Sequence, residues 1–353
     1  MSILETVIKN CLGCNGKLDE PFLDLGRTPL ANAFVPAECK NNQDEIFRLA
    51  VAYCPSCHLV QLTDLVPPGK MFNRYLYFSS YSDSFLAHAQ EMATTLIERF
   101  QLDEKSRVLE IASNDGYLLQ YFQKDNIPVL GVEPATNIAE EAERKGIPTL
   151  NQFFGTESVH DILNRFGQSD LIIGNNVLAH VPTINNFFEA TNAALKPTGI
   201  SVFEFPYLKE LLDKTEFDTI YHEHVFYYSL LAIEKLAERA GLQLFDVTCQ
   251  SIHGGSLRIF LCHKSKQKTQ TKVQEMISNE ISSGLDTPKA YTTFSDKVKT
   301  LKENLRKMLV SKKNSGRSLA AYGAPAKGNT LLNYCDIGTD ILDFTVDRNP
   351  HKQ

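Results

Sequence analysis

No run of about eighteen consecutive apolar residues occurs in this 353-residue chain, so no segment reads as a membrane-spanning helix. The opening stretch MSILETVIKNCLGC lacks a basic segment followed by an apolar core, and so shows no secretory signal. Positive charge is not in excess either. With 36 Lys and Arg against 42 Asp and Glu, the formal charge of −6 removes the basic footprint expected of a nucleic-acid binder. Tryptophan is absent, which by itself excludes no function. Eight cysteines in a chain of this length are too sparse for a disulfide scaffold. What remains is a soluble, cytoplasmic globular protein with 43% hydrophobic and 22% charged residues, long enough for two or three separately cored domains.

The cysteines that are present are patterned. Cys11/Cys14 and Cys54/Cys57 form two C-x-x-C pairs, while Cys39, Cys249, Cys262 and Cys335 are scattered. A single C-x-x-C can be a redox pair, but two in one short segment read as a tetrahedral sulfur site for zinc. Four protein thiolates leave no open coordination position, so such a site is structural. His58, next to Cys57, is an alternative ligand or a surface residue.

From about residue 85 the pattern alternates helix and strand. Residues 85–100 carry apolar side chains at helical spacing, and RVLEIASNDGY (107–117) reads as a buried strand entering a polar turn. Further strands are expected at VLGVE, near TLNQFFG, at DLIIGNN and at GISVFEFPYL, with LQLFDVTCQ and SLRIFLCHK closing the sheet. The fold class is α/β, a doubly wound parallel sheet whose ligands sit beyond the carboxyl ends of its strands. The first turn keeps one glycine of the dinucleotide fingerprint, Gly116, with Ala112 and Asn114 before it. Glu110 at that strand end and Glu133 at the next strengthen a nucleoside reading, since a carboxylate at the second position can bind both ribose hydroxyls. A pyrophosphate cofactor would want the missing glycines. S-adenosylmethionine (SAM) has no phosphate and tolerates Ala and Asn there, while a ligand-free sheet does not explain both acids. Asn175 reads equally as a ligand contact and as a strand cap.

Tyr221-His222-Glu223-His224 packs a phenol, two imidazoles and a carboxylate into four residues. The zinc-protease reading fails, because the two histidines lack the i,i+4 spacing of H-E-x-x-H. His222 reads as structural. Toward the end of the chain, residues 265–316 are lysine-rich and helical in period. LAAYGAPAKGN (319–329) then reads as strand, glycine-bounded turn and helix, able to offer backbone N–H groups and Lys327 to a diphosphate, with ILDFTVD as the next strand.

Taken in order, the two C-x-x-C pairs, E110-I-A-S-N-D-G116, N175-N-V-L-A-H180, Y221-H-E-H224 and A321-Y-G-A-P-A-K-G-N-T330 resemble the SAM-dependent C-methyltransferases of nucleotide-linked deoxysugars. The resemblance runs from about residue 11 to 353. It implies a zinc-binding domain over 1–75, a class I SAM-methyltransferase domain over 76–264, and a smaller Rossmann-like domain over 265–353 that holds the nucleotide sugar. It places Tyr221 and His224 at the base position, His180 near the sugar, Glu223 on a sugar hydroxyl or an imidazole, and Lys327 and Asn329 on the substrate. The expected cofactors are SAM and structural Zn²⁺, and the expected partner is a small nucleotide sugar, dTDP-linked by preference. Nucleic acid and membrane partners are not expected, and the assembly is a monomer or small homo-oligomer. The chemistry agrees: a carbon beside a ketone becomes nucleophilic only after losing a proton, which needs a base near neutrality and a donor for the enolate oxygen. The rival readings are a methyltransferase acting on RNA or protein, and a non-catalytic zinc- and nucleotide-binding module. The chain stops at NPHKQ, where relatives look to continue, so the last domain is expected to be incomplete.

Overall fold

Val108–Ile111, four buried residues in a row, forms an interior strand (β1) of a seven-stranded sheet in this computed structural model. The structure describes residues 6–33, 35, 44–67, 70–71 and 79–347; the terminal NPHKQ lies outside them. The other strands are β2 (Val129–Val132), β3 (Thr149–Leu150), β4 (Ser169–Asn175), β5 (Leu195–Pro206), β6 (Leu242–Gln250) and β7 (Ser256–His263). Their order is β3-β2-β1-β4-β5-β7-β6. The first five are parallel, and β7 runs antiparallel to both β5 and β6. The expected α/β sheet is present, with the two closing strands where the sequence put them. The connection from β6 to β7, residues 251–255, is far shorter than the dozen or so residues a parallel crossover needs, so these strands pair as a hairpin.

Helix α1 (Asp83–Phe100) begins at Ser82, whose hydroxyl accepts from the Phe85 amide. Its buried Ala89, Met92 and Leu96 share a core with Val108, Phe122, Val129 and Leu171. Each large apolar side chain fully buried there contributes about 1.5–3 kcal/mol.

By its internal packing the chain divides into two compact units. One comprises Phe72–Pro206 and Leu230–Ser278; the other gathers Met1–Met71, Tyr207–Ser229 and Asn279–Gln353. The second unit is built on a four-stranded antiparallel sheet in the order Phe226–Tyr227, Val60–Leu62, Ile46–Tyr53, Leu23–Pro29. Aromatic packing explains why the two chain ends share it. Tyr291, on the long helix Pro288–Asn314, stacks on Tyr53 at 4.6 Å and meets Phe22 at 5.0 Å. The expected strand, turn, helix and strand near the carboxyl end are present as Ala320–Tyr322, Ala326–Tyr334 and Phe344–Val346, the two strands pairing in parallel. No helix among the described residues is long and apolar enough to cross a membrane.

Gly116 closes the turn after β1 at φ +77°, and a Cβ placed there would lie 2.6 Å from Ile147 Cγ1. Gly116→Ala is therefore expected to cost about 1–3 kcal/mol, read as a lower urea midpoint at unchanged m. A midpoint equal to wild type would show that the turn relaxes freely.

Candidate active site and metal centre

Two tight turns build the metal site. Each C-x-x-C ends on a left-handed residue, Asn15 at φ 59° and His58 at φ 63°. Their amides return to the Cys11 and Cys54 carbonyls at 2.7 and 2.8 Å. The four sulfurs lie within 4.8 Å of one another, with Cys11 3.5 Å from Cys57 and Cys14 3.4 Å from Cys54. Zinc–sulfur bonds of about 2.3 Å would hold tetrahedral sulfurs roughly 3.8 Å apart, so the donor set fits the ion. The S–H groups of Cys11 and Cys57 pull the Cys54 thiol far below its ordinary range. His58, the alternative ligand, lies outside the four-cysteine cluster, and its Nδ1 meets the Tyr53 hydroxyl at 2.7 Å.

The turn after β1 collects the residues expected at the cofactor. Ala112 and Asn114 stand at φ 54° and 48°, the left-handed region that glycine would occupy without strain. Glu133, at the end of β2, accepts from the Asn114 amide at 3.0 Å and the Ala135 amide at 2.9 Å. Burial raises its pKa and these two amides oppose the rise. A carboxylate has about four acceptor sites, so two remain for hydroxyls. Glu110 is fully buried, and neither of its oxygens has a hydrogen bond of good geometry among the described residues, Tyr117 being the nearest donor. Burial pushes its carboxyl well above the usual range; the Tyr117 hydroxyl opposes this, and Glu133 and Asp115 add to it. Asn175, closing β4, donates to the Tyr117 hydroxyl at 3.3 Å and leaves its Oδ1 buried and unbonded. Buried polar atoms left without partners are costly, and their concentration at one strand-end turn fits a polar small molecule. His180 follows on a short 3-10 turn, Leu178–His180, in the same unit.

Sequence reasoning passed over a further cluster in this unit. Glu204 on β5 accepts from His88 Nε2 at 2.8 Å and from Arg258 Nη2 at 3.0 Å, and these donors hold its buried carboxyl ionised. No spacing signal marks it, because its members come from a helix and two non-sequential strands.

Tyr221, Glu223 and His224 belong to the other unit. Their loop lies between the 3-10 turn Phe217–Thr219 and the strand Phe226–Tyr227, after a helix at Leu208–Lys214. His224 Nδ1 meets the Thr219 carbonyl at 3.1 Å, and its Nε2 meets the Tyr221 hydroxyl at 2.8 Å. A carbonyl can only accept, so Nδ1 carries the hydrogen and Nε2 of the neutral ring takes Tyr221's proton as acceptor. The two rings lie 4.1 Å apart at 34°. Tyr221 is half-buried and His224 is buried behind it. His222 is buried and packs edge-on against Phe47. Glu223 is 7% exposed, its Oε1 accepting from Asn32 Nδ2 at 2.5 Å; burial raises its pKa and Asn32 opposes the rise. Asn32 carries no motif signal and was not anticipated.

The C-terminal helix Ala326–Tyr334 meets this loop. Thr330 Oγ1 donates to the Ile220 carbonyl at 2.9 Å, and Lys327 lowers the burial-raised pKa of Asp218. Two amides expected to be available at the glycine turn are already used: Gly323 donates to the Val346 carbonyl and Ala324 to Asp347. Asn329 is committed as well, donating to the Pro29 carbonyl at 3.2 Å and accepting from Asn333 at 3.0 Å. Of the two residues expected on the substrate, Lys327 carries the positive charge, which acts on Asp218.

Three family matches cover most of the chain: a zinc binding domain over residues 11–72, a methyltransferase domain over 85–247, and a C-methyltransferase C-terminal domain over 251–353. The C-methyltransferase NovU of Streptomyces niveus is 33% identical over 347 residues, spanning 98% of this chain and 83% of that protein. The chain is a SAM-dependent C-methyltransferase with a zinc-binding amino-terminal domain. Among solved structures, a SAM-dependent methyltransferase from Clostridium acetobutylicum ATCC 824 is similar over 49% of this chain and 90% of its own, at 15% identity and a TM-score of 0.41. Magnesium protoporphyrin IX methyltransferase from Synechocystis PCC 6803 is similar over 55% and 92%, at 14% identity and a TM-score of 0.41. The methyltransferase's cofactors are SAM and a structural zinc ion.

Because zinc-binding energy is folding energy for small metal domains, Cys57→Ser is expected to lower the thermal midpoint and abolish stoichiometric zinc. Elemental analysis should give one zinc per wild-type chain, lost to excess chelator together with near-ultraviolet dichroism from the tyrosines around the sheet. Metal-free protein that melts with the holoprotein would remove zinc's structural role.

Proposed function

We propose that this methyltransferase methylates a nucleotide-linked 4-keto-deoxysugar, dTDP-linked by preference, at the carbon next to its ketone. The hydrogen-bond chain from Tyr221 through His224 to the Thr219 carbonyl carries the reading. It is a base with a fixed tautomer and a defined direction for the proton.

The half-buried Tyr221 is the outer member. Its oxygen takes the proton from the carbon next to the ketone as its own hydroxyl proton passes to His224 Nε2. The Thr219 carbonyl keeps Nδ1 protonated and supports the imidazolium that results. Electrons left by the C–H bond move into the enolate, and its carbon then attacks the methyl group. When bound, SAM would supply that methyl as an electrophile on its sulfonium, leaving a neutral thioether. Glu110, Ala112, Asn114, Gly116, Glu133 and Asn175 are the residues proposed to hold it, with Glu133 on the ribose hydroxyls and the turn backbone close to the ligand. His180 is assigned to the sugar, Glu223 to a sugar hydroxyl and Lys327 to the diphosphate, while Asn329 ties its helix to the Pro29 strand end.

Incubation with SAM and a set of dTDP-4-keto-deoxysugars should yield a product heavier by one CH₂ and resistant to demethylation; no product from any sugar would reject the substrate class. His224→Ala is expected to lower turnover by about 10²–10⁴-fold while calorimetry still shows SAM binding. Tyr221→Phe, which keeps the ring and loses the hydroxyl, should fall into the same range. Survival of His224→Ala within about tenfold of wild type would remove the base assignment.

A further inference from the structure

We infer that Asn32, from the zinc-binding segment, is a positioning residue that fixes one oxygen of Glu223 so that the other can accept a hydroxyl of the substrate. The inference rests on the substrate class proposed above and adds a specificity determinant that lies outside every motif of the chain.

Glu223 is almost wholly buried, yet its only hydrogen bond from a described residue is the one from Asn32 Nδ2 to Oε1. A carboxylate has about four acceptor sites, and the bond from Asn32 fills one of them, so the second oxygen keeps its acceptor capacity. The neighbouring proton-transfer groups do not use it, since Tyr221 and His224 bond to each other and His224 to Thr219. A ligand hydroxyl is a donor that fits this capacity, and a keto-deoxysugar carries such hydroxyls.

The contact is indexed from both sides by one helix. Asn32 lies three residues beyond Pro29, the end of the strand Leu23–Pro29, and the Pro29 carbonyl accepts from Asn329. Glu223 lies three residues beyond Ile220, whose carbonyl accepts from Thr330. Asn329 and Thr330 are adjacent on Ala326–Tyr334. Two segments 191 residues apart in sequence are thus held to consecutive residues of a third, leaving the Asn32–Glu223 bond little freedom.

An N–H donor stabilises the charged form of a carboxylate, so loss of Asn32 should raise the pKa of Glu223 and require a higher pH to ionise it. The other titratable groups on the described elements around it are Asp218, Tyr221, His222 and His224 on its own loop, Tyr227 on the following strand and Lys327 on the helix. None of them contributes to its shift, which comes from burial upward and Asn32 downward.

The test uses zinc-loaded full chain and dTDP-4-keto-deoxysugar. Asn32→Ala should lower kcat/KM for the sugar about 10- to 100-fold, leave SAM binding unchanged, and move the acid limb of the pH profile to higher pH. Glu223→Ala should remove that limb, and Asn32→Ala combined with Glu223→Ala should be no worse than Glu223→Ala alone. A variant within twofold of wild type, an unmoved limb, or losses that add in the double variant would overturn the inference. A carboxyl-carbon NMR titration of Glu223, assigned by its disappearance in Glu223→Ala, reads the same shift without turnover. If no sugar is methylated by wild type, the substrate class fails and the titration still decides Asn32: an upward shift supports the contact, and no shift ends it.

Discussion

Two short backbone pairings, Phe226 with Gln61 and Tyr227 with Val60, decide where the Tyr221–His224 loop of this enzyme stands. The chain leaves the large sheet at Pro206, makes the loop that carries Tyr221, Glu223 and His224, and re-enters a helix at Leu230. Left alone, such a polar loop would stay in water. Its pairing to the edge of the N-terminal sheet, extended by the Leu62 amide donating to the Val225 carbonyl, lets His222, Glu223 and His224 be buried with their backbone satisfied. Cys54 and Cys57 lie just before the receiving strand Val60–Leu62, so the zinc site holds that strand edge in place. A metal with no open coordination position thus supports the shape of the loop that carries Tyr221 and His224.

The donor turn shows the opposite economy. Ala112 and Asn114 hold left-handed backbone without glycine's freedom, which costs on the order of 1 kcal/mol each. Glu133 offsets part of that strain by accepting the Asn114 amide, binding the turn to the second strand. The same carboxylate therefore shapes the turn and keeps acceptor capacity beyond it. Strain of this kind persists where the surroundings over-determine it, and here the surroundings include a buried Glu110 with no hydrogen bond of good geometry among the described residues. A site with such unpaired groups gains by binding a polar ligand what it lost on folding.

Much of this was legible in the sequence wherever chemistry is local. The two C-x-x-C pairs, the acid-to-turn step at Glu110–Gly116 and the strand, turn and helix after Leu319 follow from short spacings, and each stands where those spacings put it. What could not be read was long-range. Nothing near Phe226 announces a partner at Gln61, and a two-residue strand has too little periodicity to be seen, though V-F-Y-Y is a run of strand-forming residues. The antiparallel β7 follows only once the connection before it is measured against a crossover. Asn32 and Glu223 meet across 191 residues, with an ordinary loop asparagine on one side. Asn329 is the converse: its motif suggested a ligand, and its amide also bonds the Pro29 carbonyl and Asn333, a structural part its motif did not announce.

The order of the dyad carries mechanistic weight of its own. Had Nδ1 of His224 faced a second hydroxyl, the imidazole could exchange tautomers and the lone pair would have no fixed address. The Thr219 carbonyl removes that freedom, because an acceptor admits only the Nδ1–H form, and the lone pair then stays at Nε2 beneath Tyr221. A buried imidazole reached through a phenol is screened from water, and a phenol alone is too weak an acid to ionise near neutrality. In the role proposed for them, they make a base whose proton has one path in and the same path out. The pair therefore requires Tyr221 to move little and His224 not to turn at all, which the stacked rings, the Thr330 bond to Ile220 and the strand at Phe226 jointly enforce.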